Sequence, residues 1–174
     1  LGPQKSHDFE FIHKLSFYSL NITTNLYYMR LRSEISTTDN SFYNRNLAPT
    51  ERYGIENNFK YSFMENLNIE NAFTLTQAKF RGGDRNENDL PGVPAFVDSL
   101  QINYSPLENL STYFNFYYQS SSRPLNDFRN YQIVQKGYHT LNVGFVGSFK
   151  GYKVSLALNN LQDKIHYNYA VGSG

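Results

Sequence analysis

Alternation of apolar and polar residues with a period of two runs through almost the whole chain, and it limits the fold more than any other feature. Leu20, Ile22, Thr24, Leu26 and Tyr28 form one row, with Asn21, Thr23 and Asn25 between them. Tyr53, Ile55, Asn57, Phe59, Tyr61 and Phe63 form a second, interleaved with Gly54, Glu56, Asn58, Lys60 and Ser62. Leu67, Ile69, Asn71, Phe73 and Leu75 form a third, and further rows begin at Phe9, Leu100, Leu110, Leu141 and Tyr152. Successive side chains of a strand point to opposite faces, so such rows build sheets with one apolar and one polar face. The pattern predicts eight strands and shows no helical period.

Their connections alternate between two kinds. Tight turns carrying Asn, Ser, Pro or Gly fall near Tyr18-Ser19, at Met64-Glu65-Asn66, at Pro106 to Asn109 and near Lys150-Gly151. Long polar stretches fill Ser36 to Glu51, Lys79 to Ala95 and Gln119 to Gly137. The heptapeptide YSFMENL (Tyr61 to Leu67) returns 43 residues later as YSPLENL (Tyr104 to Leu110), at the corresponding corner of another hairpin. Centring the second turn on Glu65 places Lys60 opposite Glu70 and Tyr61 opposite Ile69. That is an opposite-charge pair on one face and an aromatic–β-branched pair on the other, both favourable across strands.

Short turns at one end, long loops at the other and long alternating strands describe a transmembrane β-barrel. No stretch approaches the roughly 18 consecutive apolar residues of a spanning helix, and no leader pattern is read at Leu1. The net charge of +1 gives no basic stripe, so nucleic acid is not an expected partner. With no cysteine there is neither a disulfide framework nor a thiolate metal site. Tyr (15) and Phe (14) are abundant, and they gather at strand ends. Phe17, Tyr18, Tyr61, Phe63, Tyr104, Phe149 and Tyr152 lie by the tight turns; Tyr53, Phe96, Tyr117, Tyr118 and Tyr138 lie toward the long loops. Two such girdles are expected where rings straddle lipid and headgroups. The strand charges Glu10, Lys14, Glu56, Lys60 and Glu70 all fall on the polar face, while His13, Asn57 and Asn71 interrupt the apolar one. Three other folds share parts of this pattern. A soluble β-sandwich binding module also alternates. A complete eight-stranded barrel, acting as an adhesin or structural protein, would pair its first and last strands. A WD-type propeller has a similar period but four strands per repeat and a Trp-Asp signature.

Four segments carry a family resemblance. DLPGVPAFVDSLQINYSP (Asp89 to Pro106) and LNNLQDKIHYN (Leu158 to Asn168) resemble the C-terminal barrel of TonB-dependent outer-membrane receptors. The first matches a loop entering a strand that ends in tyrosine-x-proline. The second matches a penultimate strand, through Asn160, Leu161, Asp163, Lys164 and Tyr167. QKSHDFEF (Gln4 to Phe11) and LTQAKF (Leu75 to Phe80) resemble mid-barrel strands of the same family. The resemblance implies an all-β, antiparallel segment of about eight strands from a barrel of about 22. It further implies that residues 1–174 lack the plug domain, the TonB-engaging N-terminal box and the last strand. The expected function is active uptake of a ferric siderophore or another iron complex such as haem, driven through TonB in the bacterial outer membrane. The protein would meet lipid and lipopolysaccharide, need no cofactor and carry out no catalysis.

Candidate ligand contacts follow from the loops. Tyr43, Arg45, Arg81, Arg85, Arg123, Arg129 and Tyr131 offer guanidinium forks and phenol surfaces suited to an anionic chelate. GDRNENDL (Gly83 to Leu90) resembles a calcium loop in Asp84, Asn86 and Asn88, but Asp89 and Ala95 replace its Gly and Glu. The four histidines show no metal-ligand spacing, so no metal site is expected.

Overall fold

The computed structural model describes residues 1–37 and 43–167. One antiparallel sheet dominates it: β1 (Lys5–Phe17), β2 (Leu20–Arg32), β5 (Thr50–Met64), β6 (Leu67–Phe80), β7 (Phe96–Leu107), β8 (Leu110–Gln119), β9 (Tyr138–Phe149) and β10 (Tyr152–Leu158). They lie side by side in sequence order. A small ribbon, β3 (Ile35–Thr37) with β4 (Asn44–Asn46), stands in the first long loop. Two rivals fail on this topology. Among the described residues no second large sheet packs on the first, as a sandwich requires, and β1 and β10 do not pair, so no eight-stranded barrel closes. No helix among the described residues is long and apolar enough to cross a membrane.

The register is the one both faces favour. Lys60 opposes Glu70 and Tyr61 opposes Ile69, and the Lys60 Nζ lies 3.1 Å from Glu70 Oε2. At Glu65-Asn66 the turn has two residues, and a bulge between Ser62 and Met64 absorbs the odd residue. The repeat copies that bulge: β7 and β8 shift register between Tyr104 and Leu107 around a two-residue turn at Glu108-Asn109. Neither pair of turn residues has positive φ, whereas Tyr18, Lys150 and Gly151 in the two unbulged hairpins do. A turn without positive φ splays a hairpin, and a bulge restores its twist. YSFMENL and YSPLENL therefore encode one bulged corner, used twice. Neighbouring corners are also tied together. The amide N–H groups of Ser62, Ser105 and Ser148 donate to the carbonyls of Ser19, Asn66 and Asn109, at 3.1, 2.9 and 2.8 Å.

The ladder is sheared. The row through Leu20, at the turn end of β2, runs by way of Tyr61, Ile69, Ile102 and Phe114 to Val143, six residues from the turn end of β9. Six residues over five strand steps is about 20 Å over about 24 Å. That slope of about 40° matches the tilt of outer-membrane strands.

Each apolar row predicted from the sequence lies on one face of the sheet, and Glu10, Lys14, Glu56, Lys60 and Glu70 lie on the other. Asn57 and Asn71, two of the polar residues that intrude on the apolar face, are partnered. Asn57 Nδ2 donates to Thr24 Oγ1 at 2.8 Å, and Asn71 Nδ2 donates to Asp98 Oδ1 at 2.8 Å. Asp98 is a charge that the alternating rows had left out; it sits nine residues above the turn end of β7, beside the outer girdle ring Tyr118. Packing against the sheet is confined to the loop end. Leu31, Thr50, Ala78 and Phe80 are buried there, all on the polar face. The loops thus fold over the polar side and leave the apolar side bare, which makes the polar face the inner one.

Several boundaries differ from expectation. β6 continues to Phe80 and β5 begins at Thr50, because the ladder runs on in register beyond the alternating rows, with Thr50 opposite both Phe80 and Leu31. The Asn160 to Tyr167 motif is not strand: β10 ends at Leu158, and Asn160 and Asp163 take positive φ in a turn whose Leu161 N–H donates to Leu141 O at 2.9 Å. Asn168, and Gly174 where the last strand was sought, lie outside the described residues.

Two glycines on the polar face are occupied by their register partners. Tyr27 opposes Gly54 and Tyr113 opposes Gly144. A methyl at Gly144 would overlap the Tyr113 ring, and one at Gly54 would sit 2.8 Å from the Tyr27 hydroxyl. An aromatic ring laid over a glycine covers backbone that would otherwise be bare. Gly147, in the same strand as Gly144, has nothing within 4 Å of such a methyl. Gly144→Ala should cost about 1–3 kcal/mol by overpacking, and Gly147→Ala should stay within about 0.5 kcal/mol of wild type. Urea unfolding of the detergent-folded protein, followed by heat-modifiable gel mobility, measures both.

Candidate functional site

At the loop end, the segments at 33–49, 81–95 and 120–137 interlock. Phe80, Leu47, Ala78, Leu90 and Phe128 form a small buried cluster with Ala48 and Val93 packed against it, so each of the three segments contributes to one apolar knot. Phe80 and Phe128 rings lie 6.2 Å apart. Burying three loop side chains, Leu47, Leu90 and Phe128, against Ala78 and Phe80 of β6 fixes the loops as an element of structure would, since truncating one aromatic alone costs about 3–5 kcal/mol.

Polar locks complete the knot. Asp127 is 2% exposed, and its carboxylate accepts the Tyr131 N–H at 2.9 Å and the Gln132 N–H at 3.2 Å. Arg123 Nη1 lies 3.7 Å from that carboxylate and also donates to the carbonyls of Asn130 and Gln132. Asn130 joins the second and third loops reciprocally: its Oδ1 accepts the Asp89 N–H at 2.7 Å and its Nδ2 donates to Asp89 O at 3.0 Å. In the first loop Arg52 binds Glu34 at 2.9 Å, and the buried Thr50 hydroxyl donates to the same carboxylate.

The seven loop residues singled out from sequence divide by position. Arg81 is held by Glu51, with Nε and Nη2 at 2.9 and 2.7 Å from Oε1, and by Glu87. Those hydrogen bonds, the one to Glu51 foremost, raise its pKa above the ordinary guanidinium value. Arg123 serves the Asp127 lock just described. Arg85 lies over Phe128 at 4.9 Å and Phe80 at 5.9 Å, capping the apolar knot. Arg85, Arg129 and Tyr131, with Asp84 and Asn88, line a cleft of about 320 Å3. Tyr131 and Tyr43 are 83% and 77% exposed, and Tyr43 and Arg45 stand apart from that cleft, just before the ribbon strand β4 and within it. Of the calcium-like trio, Asp84 and Asn88 reach the cleft, and Asn88 Nδ2 also donates to Phe128 O at 3.2 Å.

Sequence reasoning missed Asp127, Asp89 and Asn130, which organise the loops. Their only signal is local: Asp127 and Asn130 follow Pro124 in a stretch with no alternation. Asp127→Ala strands two loop N–H groups and Arg123, each such loss being worth about 1–3 kcal/mol. It should open the 120–137 segment to trypsin in intact outer membranes while the barrel band on a gel is unchanged.

A family model described as TonB dependent receptor-like, beta-barrel matches residues 1–161. Among solved structures, the ferric yersiniabactin uptake receptor FyuA from Yersinia pestis superposes with a TM-score of 0.82 at 17% identity, covering 98% of this chain and 27% of its own. The siderophore receptor PiuA from Acinetobacter baumannii gives 0.79 at 20% identity, covering 95% and 25%. The copper transporter OprC gives 0.79 at 14% identity, covering 99% and 27%. This chain therefore spans about a quarter of the structures it matches. A comparison with curated proteins gives no match. Sharing that family model over most of its length, with an antiparallel sheet that superposes on those structures, the chain belongs to the TonB-dependent receptor-like β-barrel family, whose barrels sit in the outer membrane of Gram-negative bacteria.

Proposed function

We propose that residues 1–174 are about eight strands from the C-terminal part of a receptor barrel of about 22 strands. The whole protein imports a ferric siderophore or a similar anionic iron complex, such as haem. Two observations support the size. The chain spans about a quarter of the receptors it resembles, and β1 and β10 each keep one row of backbone groups that this sheet leaves unpaired. Lipid tolerates no such edge, so further strands must meet both. In this reading a plug domain fills the barrel, TonB pulls on it, and no covalent chemistry occurs. Outer-membrane lipid and lipopolysaccharide surround the barrel.

The observation that carries the ligand class is the cleft of Arg85, Arg129 and Tyr131 at the loop end, two cations against the single carboxylate of Asp84. Guanidinium forks and a phenol suit the carboxylate, catecholate or hydroxamate oxygens of an iron chelate. Tyr43 and Arg45 are proposed as outer contacts. Arg81 and Arg123 contribute chiefly by holding the loops, given the carboxylates they already bind. Several structural neighbours are themselves named for ferric siderophores, and one for copper.

The test is uptake of radio-iron chelates by cells carrying or lacking the full gene. Loss of uptake of at least one anionic ferric chelate upon deletion is expected; unchanged uptake of every chelate tried would overturn the assignment. Arg129→Ala should remove one charge-assisted contact of about 1.5–3 kcal/mol, weakening chelate binding by about 10–100-fold. Equilibrium binding to whole cells measures it.

A further inference from the structure

Polar side chains inside the apolar band are confined to one part of the sheet. Four to seven residues from their turn ends, β7, β8 and β9 present only apolar groups on the outward face: Leu100, Ile102, Phe114, Phe116, Val143 and Phe145. At the same distance β1, β2, β5 and β6 each turn one polar residue outward: His13, Thr24, Asn57 and Asn71. These four strands are neighbours, in the order β1-β2-β5-β6. At about 3.3 Å per residue along a strand tilted by about 40°, four residues rise about 10 Å and seven about 18 Å. All four side chains therefore sit within an apolar band about 25 Å tall.

The sheet satisfies this patch only in part. Asn57 Nδ2 donates to Thr24 Oγ1 at 2.8 Å. Asn71 Nδ2 donates to Asp98 Oδ1 at 2.8 Å and to Ser99 O at 3.2 Å, which uses both its protons and leaves its Oδ1 to accept. His13 is exposed, and among the described residues its ring has no partner. Acyl chains offer neither donor nor acceptor, so polar groups at this depth favour contact with protein. His13 and Asn71 are each four residues from a turn end, at equal depth, with β2 and β5 between them. A two-fold axis along the membrane normal, midway between them, sets His13 of one copy against Asn71 of the other, and the reverse. An imidazole N–H then meets the unused amide oxygen at both places. Rows of register partners climb toward β9, so the strands lean toward β1 as they rise. The same axis thus passes beside Asn57 at its greater height, where the Asn57 amides of the two copies, each donor and acceptor, face one another.

We propose that the outward face of β1, β2, β5 and β6 pairs two copies of this barrel side by side in the outer membrane, through His13, Asn57 and Asn71. A strip four strands wide and about 25 Å tall buries about 480 Å2 on each copy, about 960 Å2 in total. That is the lower edge of a specific interface, so the dimer is weak and its polar contacts fix its alignment. The inference rests on the outer-membrane placement of the family, not on the identity of the transported ligand. It is tested on the full-length protein in outer membranes, with any other cysteine replaced. His13→Cys with Asn71→Cys should give, on oxidation, a disulfide-linked species of twice the mass. Within one copy the two positions are three strand spacings, about 14 Å, apart, too far to bridge. Leu100→Cys with Val143→Cys, on the wholly apolar side, should give only a collisional background. In reconstituted bilayers, energy transfer between labelled copies should show that His13→Leu with Asn71→Leu needs about tenfold more protein per lipid to dimerise equally. Should loss of Asn71 unsettle Asp98, His13→Leu alone gives the same reading at smaller amplitude. Absence of the linked dimer overturns the proposal, as does equal linkage through Leu100 and Val143 or unchanged energy transfer in the leucine variants. A linked band of any other mass also overturns it, since it would assign the face to a different protein. Radio-iron uptake by the leucine variants should persist, which separates this proposal from the transport reading.

Discussion

In the hydrocarbon core of a membrane every backbone N–H and C=O must find its partner inside the protein. All else in this sheet depends on that constraint. It requires long strands in continuous register, and register in turn fixes which side chains share a face. A slip of one residue between β5 and β6 would carry Lys60 and Glu56 into lipid, at about 2–4 kcal/mol for a lysine at mid-depth. The Lys60–Glu70 pair is worth at most about 1 kcal/mol as a cross-strand contact. Segregation of the faces, more than any individual pair, therefore holds the alignment. The bulged corners and the tilt follow from it, because the ladder must shear for a closed barrel to form.

At the loop end the constraint is released. Water reaches the backbone, and stability there comes from a different source: the buried Phe80 and Phe128, capped by Arg85 and enclosed by the Asp127 and Asn130 bonds. The loops fold over the polar face, so a rigid lid is set above the inner side while the apolar side stays bare. A receptor needs this arrangement. In the proposed reading, groups displayed there for a ligand are held in place by contacts beneath them, and the arginines that bind carboxylates support those turned toward the cleft.

Much of this was legible in the sequence, for physical reasons. Strand existence, hairpin pairing and the Lys60–Glu70 register were readable because period-two alternation reports two environments at once. The repeated YSFMENL and YSPLENL corners were readable because a turn is local. The β3–β4 ribbon and the Asp127 lock were not, since they arise from contacts between distant loops with no periodicity. The Asn160 to Tyr167 motif also misled: a polar turn lying back on β9 through Leu161 and Asn160 preserves a motif as well as a strand does. Among the candidate ligand residues, sequence supplied the residue types, whereas only the fold separates Arg81 and Arg123, bound to carboxylates, from Arg129 and Tyr131 at the cleft.

The central claim is that odd-numbered residues of β6 face lipid and even-numbered ones face the barrel interior. Residues 1–174 hold no cysteine, so, with any cysteine elsewhere in the full-length protein replaced, spin labels can be placed one at a time from residue 68 to residue 75 in bilayers. Collision with oxygen, which concentrates in lipid, should peak at Ile69, Asn71, Phe73 and Leu75, and collision with a water-soluble nickel complex should peak at the residues between them. A flat profile, or one with the phases reversed, would contradict the account.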